Sequence, residues 1–314
     1  MESLSPLKEL RNKQSLIRDR IRAVVCGEAN GIYLHGRPGL SKTYLIRTTL
    51  ENLGTRYEYS NGHVTPLGLF ELIEKSPNSV IVLDDVSSIF TQPMALQILL
   101  AALGTRHDGD RTRTVRYKRA NDDRVVYFSG SIIAISNLQL AGHTSHVLDA
   151  LRDRVHVMSY EPTDEEVEAA IHEIAGTSPR GVPAHDAVEV ASFLLDACRE
   201  SGVRPSIRLY VDKALPDFRL WKNGNTESHW NDLVRSSVRQ MVIAQEQPLR
   251  DISRKEQIDS ERRLVQAICS QFPCRKLRVD TWVARTGKSQ AAFYRRYREL
   301  RNEGQLSVWE QGAA

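Results

Sequence analysis

The sequence predicts an α/β chain: a parallel sheet with helices on both faces, then a smaller helical domain, then a basic helix-turn-helix module at the C-terminal end. Three observations predict it. Between residues 28 and 161, apolar runs of strand length alternate with segments of helical period, the pattern of βαβ units. From Pro162 onward only helical periodicity remains. Charge is unevenly placed: residues 259–314 hold 11 Lys+Arg against 6 Asp+Glu, although the 314-residue chain carries only +4.

Each element has its own signal. Residues 7–26 set Leu7, Leu10, Leu16, Ile17, Ile21, Val24 and Val25 at helical spacing, so an amphipathic helix leads the chain as segment 1–27. A strand at Ile32-Tyr33-Leu34 follows. Helices are expected at 44–53, 66–75, 94–103 and 146–153, and strands at 57–59, 79–84, 131–136 and 155–159, which together make a nucleotide-binding domain over 28–161. Helices at 163–175, 185–200, 205–215 and 227–244 make a lid domain over 162–245. The polar stretch 246–258, with Pro248, is the expected linker, and 259–314 the last domain.

With 41% hydrophobic and 26% charged residues, this is the composition of a globular chain of two or three domains. It excludes a disulfide-stapled miniprotein and a disordered tail. Four scattered cysteines with no neighbouring His argue against zinc and for reduced thiols. No apolar run approaches a membrane span and the first 26 residues are charged throughout, so a cytoplasmic protein with no membrane partner is expected.

The chemistry is concentrated in residues 36–43, Gly-Arg-Pro-Gly-Leu-Ser-Lys-Thr. They fit G-x-x-x-x-G-K-[ST] at every defined position except one, where Ser41 replaces the second Gly. A strand before and a helix after are what such a loop needs, because backbone N–H groups and the helix N-terminus then face the phosphates. ATP is the expected ligand, held by Gly36, Pro38, Gly39, Leu40, Ser41, Lys42, Thr43 and Tyr44. Lys42 is the candidate for the β- and γ-phosphates and Thr43 for Mg2+. Residues 79–85, Ser-Val-Ile-Val-Leu-Asp-Asp, end an apolar strand in two carboxylates. Asp84 is suited to the Mg2+ shell and Asp85 to polarising a water.

These two motifs, Asn137 at the end of the strand 131–136, and the Arg pair in Leu151-Arg152-Asp153-Arg154 together resemble the AAA+ ATPases over about residues 28–215. The resemblance implies that Asn137 orients the lytic water. It implies an arginine finger acting in the neighbouring subunit, Arg154 by its nearness to the last core strand, with Arg152 the other choice. It also implies that Arg204, after Ser201-Gly202-Val203, senses the γ-phosphate from the lid, with Arg208 as rival. It implies a homo-oligomeric ring, a hexamer, because the finger needs a neighbour. Two departures stand out. Ser41 weakens phosphate binding if its backbone requires positive φ, and Asp85 is one methylene shorter than the usual Glu, so slow hydrolysis is expected.

Two basic features point to DNA. Residues 111–130 alternate apolar and basic positions around a turn and predict a β-hairpin. Its place before the strand 131–136 matches an insertion found in one large division of that family, among helicases and unfoldases alike. Arg111, Arg113, Arg116, Lys118, Arg119 and Arg124 are its candidate phosphate contacts, with Tyr117 and Tyr127 for stacking. Residues 259–314 look like a winged helix: helices at 260–271, 279–284 and 289–302, then a strand candidate at Leu306-Ser307-Val308-Trp309. Lys288, Gln290, Arg295 and Arg298 are its candidate DNA contacts. The expected function is therefore a ring-forming ATPase that remodels or translocates on duplex or junction DNA. Two alternatives stay open: an ATP-gated switch that assembles on DNA, and a protein unfoldase or chaperone. The last is disfavoured because Asn61-Gly62-His63-Val64-Thr65-Pro66 lacks an aromatic pore residue.

Overall fold

The computed structural model describes residues 5–86, 89–90, 92–104, 111–119, 122–140, 146–246, 254–272, 274–286 and 288–303. They form two compact units, Met1–Ile243 and Ala244–Ala314. The first is built on a five-stranded parallel sheet of β1 (Gly31–His35), β2 (Tyr57–Asn61), β3 (Val80–Asp84), β6 (Ser131–Ser136) and β7 (His156–Ser159), in the order β2-β3-β6-β1-β7. The fold class is the one expected. β1, β3 and β6 are buried along their whole length, as strands covered on both faces must be.

Alternate side chains feed two cores. Leu34, Val82, Ile133 and Ile135 face a core shared with α1 (Pro6–Val25), α2 (Lys42–Asn52) and the helices from α6 (Asp164–Ala175) to α10 (Trp230–Glu246). Tyr33, Ile81, Leu83 and Ala134 face the other, closed by α3 (Pro66–Lys75), α4 (Pro93–Ala102) and α5 (His146–Arg152). The helices expected as a lid thus share a core with the sheet and with α1. Local signals fix their ends. Thr163 and Glu166 form a capping box at α6, where Glu166 is almost fully buried and accepts two hydrogen bonds from Lys13 of α1. Gly202 ends α7 (Ala184–Ser201) in the left-handed conformation. The helix expected at 205–215 is α8 (Ile207–Leu209), running through a wider turn at Tyr210–Ala214 into α9 (Leu215–Lys222).

The expected hairpin is present as β4 (Arg113–Arg119) and β5 (Asp122–Phe128), paired from Arg113↔Phe128 to Arg119↔Asp122. Val115, Tyr117, Val126 and Phe128 face inward against the second core. Arg113 shares their parity and is buried at 5% exposure. Its guanidinium donates to the carbonyl oxygens of Phe128 and Gly130 and, at 2.9 Å, to Asn30 Oδ1. Arg113 is therefore a structural anchor, and its expected DNA contact is withdrawn. Tyr117 is also buried, which removes it as a stacking platform.

The second unit contains α11 (Arg254–Gln271), α12 (Arg275–Thr286) and α13 (Gln290–Asn302) around Val265, Ile268, Trp282, Phe293 and Leu300. Residues 254–258, expected in the linker, already belong to α11. The strand candidate at 306–309 lies outside the described residues. Among the described residues, no helix is long and apolar enough to cross a membrane.

Candidate functional site

Parallel strands in register bring their carboxyl ends to one edge: Asn61 lies opposite Asp84, Asp84 opposite Ile135, and Ser136 opposite His35. The loop 36–41 leaves β1 at that edge and α2 begins at Lys42. Glycine is required twice. At Gly36 an added Cβ would lie 2.2 Å from the carbonyl oxygen of Tyr160, and Gly39 has a φ of 82° and carries the α8 side of the lid against it. The Arg208 amide donates to the Gly39 carbonyl oxygen at 3.1 Å.

A cavity of about 740 Å³ opens over this loop. Pro38, Gly39, Leu40, Ser41, Lys42, Thr43 and Tyr44 line it, with Asp84, Asp85 and Asn137 at its inner end and Ile174, Pro179, Ile207 and Val211 on its apolar side. Lys42 is buried, and its Nζ donates to the carbonyl oxygens of Gly36 at 2.6 Å and Arg37 at 2.9 Å and to Asn137 Oδ1 at 2.9 Å. Asn137 Nδ2 in turn donates to Asp85 Oδ1 at 3.1 Å. One amide thus ties the lysine to the carboxylate suited to polarise water. Desolvation pulls the Lys42 ammonium below its ordinary pKa, although Asp85 and Asp84 pull the other way. Burial lowers the pKa of His35 on the same edge.

Thr43 Oγ1 donates to Asp84 Oδ2 at 2.7 Å. A hydroxyl and a carboxylate are hard oxygen donors of the kind Mg2+ takes alongside phosphate oxygens and water, so the residues fit that ion. Among the described residues no group of three or more His, Cys, Asp or Glu forms a metal cluster. Tyr59, which the sequence motifs gave no reason to select, also donates to Asp84 Oδ2 at 2.7 Å. Burial, and then the Asp84 carboxylate, push its hydroxyl up to about 12.

Both departures from the phosphate-binding pattern sit in left-handed backbone, Ser41 at φ 61° and Asp85 at φ 52°. Aspartate tolerates that region through its short polar side chain, and serine does so less readily. The positive φ that glycine serves at position 41 is therefore required here. Ser41→Gly should relieve about 1 kcal/mol of left-handed strain while adding a similar unfolded-state entropy. Thermal stability should change little, whereas ATP affinity should rise several-fold as the loop loses a side chain beside the phosphates. A melting curve and a fluorescent-nucleotide titration check the two halves.

The structure separates the candidate arginines. Arg208 lines the cavity and lies close enough to Lys42 to depress its pKa. Arg204 does not line it: its guanidinium is paired with Asp164, 3.0 Å away, which also accepts from Arg37. Of the α5 pair, Arg154 folds back to donate to the Ala150 carbonyl oxygen at 2.6 Å, whereas Arg152 is exposed and 3.6 Å from Asp149. Residues 38–44, Asp84, Asp85, Asn137 and Arg208 thus line one cavity, whereas Arg152, Arg154 and Arg204 do not.

The charged hairpin face is less available than its sequence promised. Arg116 pairs with Asp123, Lys118 lies 3.8 Å from the same carboxylate, and Arg124 pairs with Glu71 and Glu74. Arg119 is exposed with its guanidinium over the Tyr117 ring, Arg111 is exposed, and Tyr127 is 67% exposed. In the second unit Lys288 pairs with Glu261 inside the helical bundle. Gln290, Arg295 and Arg298 are exposed on α13.

No family model matches the chain, and no curated protein matches it. Among solved structures it is similar to RuvB of Thermotoga maritima, described as a Holliday junction branch migration motor, at 17% identity over 95% of this chain and 87% of that one, with a TM-score of 0.45. It is similar to the Aeropyrum pernix ORC2 protein, solved as ADPNP-ADP complexes, at 14% identity over 93% and 85%, TM-score 0.45. The third similar structure is Cdc6p of Pyrobaculum aerophilum, at 16% identity over 97% and 89%, TM-score 0.46. Each likeness spans most of both chains.

Proposed function

We propose that the chain is an ATPase of the AAA+ type that binds ATP with Mg2+ at the cavity over residues 36–44 and acts on DNA as a homo-oligomer. The observation that carries the reading is the contact set Thr43–Asp84, Lys42–Asn137 and Asn137–Asp85, because these are the side chains that a phosphate site, a metal and an attacking water would each need at one strand edge. Backbone N–H groups of the loop and the α2 N-terminus receive the phosphates. Lys42 exchanges its carbonyl partners for phosphate oxygens, which offsets the desolvation it bears. Thr43 and Asp84 would hold Mg2+, which when bound would supply neutralisation of phosphate charge. Asp85 accepts the proton of the attacking water, oriented by Asn137, and its short reach and left-handed backbone keep turnover slow.

Arg208 is the better candidate than Arg204 for sensing the γ-phosphate, since it lines the cavity and its helix is bonded to the loop. Arg152 is the better candidate than Arg154 for a finger acting in the next subunit's site, since it is exposed. A hexameric ring or a filament would each supply that neighbour. DNA contact is assigned to Arg295 and Arg298 of α13, with Gln290 on the same helix, and more weakly to Arg119 and Tyr127 of the hairpin, while Lys118 shares Asp123 with Arg116, because an exposed cation outside an ion pair can neutralise phosphate.

The test is the rate of ATP hydrolysis with and without duplex, junction and single-stranded DNA. Stimulation that is lost in Arg295→Ala/Arg298→Ala and falls with rising salt is expected. A rate indifferent to every DNA form would overturn the DNA assignment and leave the ATPase standing.

A further inference from the structure

The Asp84 carboxylate is held by more than the motif residue facing it. Two hydroxyls, Thr43 Oγ1 and Tyr59 OH, each donate to its Oδ2 at 2.7 Å. Their situations differ. Thr43 stands at the start of α2 on the cavity and is the hydroxyl expected to turn its oxygen to a metal, so its bond to Asp84 is the one subject to change. Tyr59 lies on the neighbouring strand, in register with Val82, two residues before Asp84 on β3. Its ring is fixed between that strand and Arg47, whose guanidinium carbon is 5.4 Å from the ring centroid.

A terminal carboxylate has a broad, nearly two-fold torsion, so a short Asp selects one orientation only when a neighbour grips one of its oxygens. Tyr59 can do that without exchanging its partner.

We propose that Tyr59 is a positioning residue for the metal-side carboxylate: it holds Asp84 by Oδ2, so that the second oxygen is the one presented to the Mg2+ of the bound nucleotide. This rests on the proposed reading of the cavity as an ATP site. It assigns to β2 a part in metal binding that the loop and strand motifs leave out. Outer partners of metal ligands typically set metal affinity by about 10- to 100-fold.

The experiment is a titration of a fluorescent ATP analogue against the whole chain, first in EDTA and then across a Mg2+ series, for wild type, Tyr59→Phe and Tyr57→Phe. Tyr59→Phe keeps the ring under Arg47 and removes only the hydroxyl. Tyr57 is on the same strand, but its hydroxyl bonds Glu51 and Arg47 and does not touch Asp84. The expected result is a rise of about tenfold in the Mg2+ concentration for half-maximal tightening in Tyr59→Phe. Affinity in EDTA and the melting temperature should match wild type, and Tyr57→Phe should show no shift. An unchanged Mg2+ requirement in Tyr59→Phe would overturn the proposal, as would an equal loss of affinity with and without Mg2+, which marks general damage. Absence of nucleotide binding by the wild type would instead overturn the ATP-site reading, and the two failures are therefore distinct.

Discussion

Lys42→Ala is expected to lower ATP hydrolysis by at least about 100-fold, on the scale of removing one charge-stabilising donor from a phosphoryl-transfer site. The reason lies in the burial of the ammonium. It is 6% exposed, desolvation depresses its pKa, and its partners are two loop carbonyls and an amide oxygen. Such a charge contributes little to holding the fold, because its hydrogen bonds offset a desolvation cost that only phosphate oxygens would fully repay. Activity and stability should therefore separate. In thermal melts the variant should unfold near the wild-type temperature without nucleotide. Wild type at a nucleotide concentration of 100 times Kd should gain about 2.7 kcal/mol, and the variant should gain none. A variant that retains the nucleotide-induced rise would remove Lys42 from the phosphate site.

Arg113→Ala is the substitution with the largest expected effect on stability. Its guanidinium is buried against the Phe128 ring, 5.1 Å from the centroid, and joins the two ends of the hairpin to Asn30 before β1. Removing it leaves the Phe128 and Gly130 carbonyls without those bonds and opens a cavity beside the second core. The loss should be roughly 3 kcal/mol or more, a drop in melting temperature on the order of 6–12 °C for a unit of this size. Arg119→Ala, at an exposed position, should leave the melt unchanged. If Arg113→Ala melts like wild type, the anchor role fails.

Much of the fold was legible because its strands are buried on both faces. Val80-Ile81-Val82-Leu83 and Ile132-Ile133-Ala134-Ile135 are unbroken apolar runs, which only a covered parallel sheet tolerates, and each occurs within a residue or two of its expected place. The loop 36–41 was legible because its glycines answer a close approach at Gly36 and a left-handed backbone at Gly39. Part of the hairpin was legible and was overlooked. Arg113 shares the period-two parity of Val115 and Tyr117, so a strand with those two facing inward must bury Arg113 as well.

Other assignments had no local signal. Arg204 and Arg208 are one turn apart, and Arg152 and Arg154 two residues apart, so spacing alone could not separate them. Asp164 captures Arg204 from 40 residues away, and the Ala150 carbonyl captures Arg154. Tyr59 meets Asp84 only because β2 and β3 are parallel neighbours in one particular register.

The sequence by itself therefore determined the layers, the phosphate loop, the carboxylates at the end of β3 and the basic character of the C-terminal unit, since each follows from local period, backbone requirement or charge count. Only the tertiary structure decided which basic side chains remain free, which are bound to carboxylates or carbonyls, and which hydroxyls hold Asp84. The physical reason is that a charge is neutralised by whatever lies within a few ångströms of it, and for Arg204, Arg124 and Lys288 those partners come from distant parts of the chain.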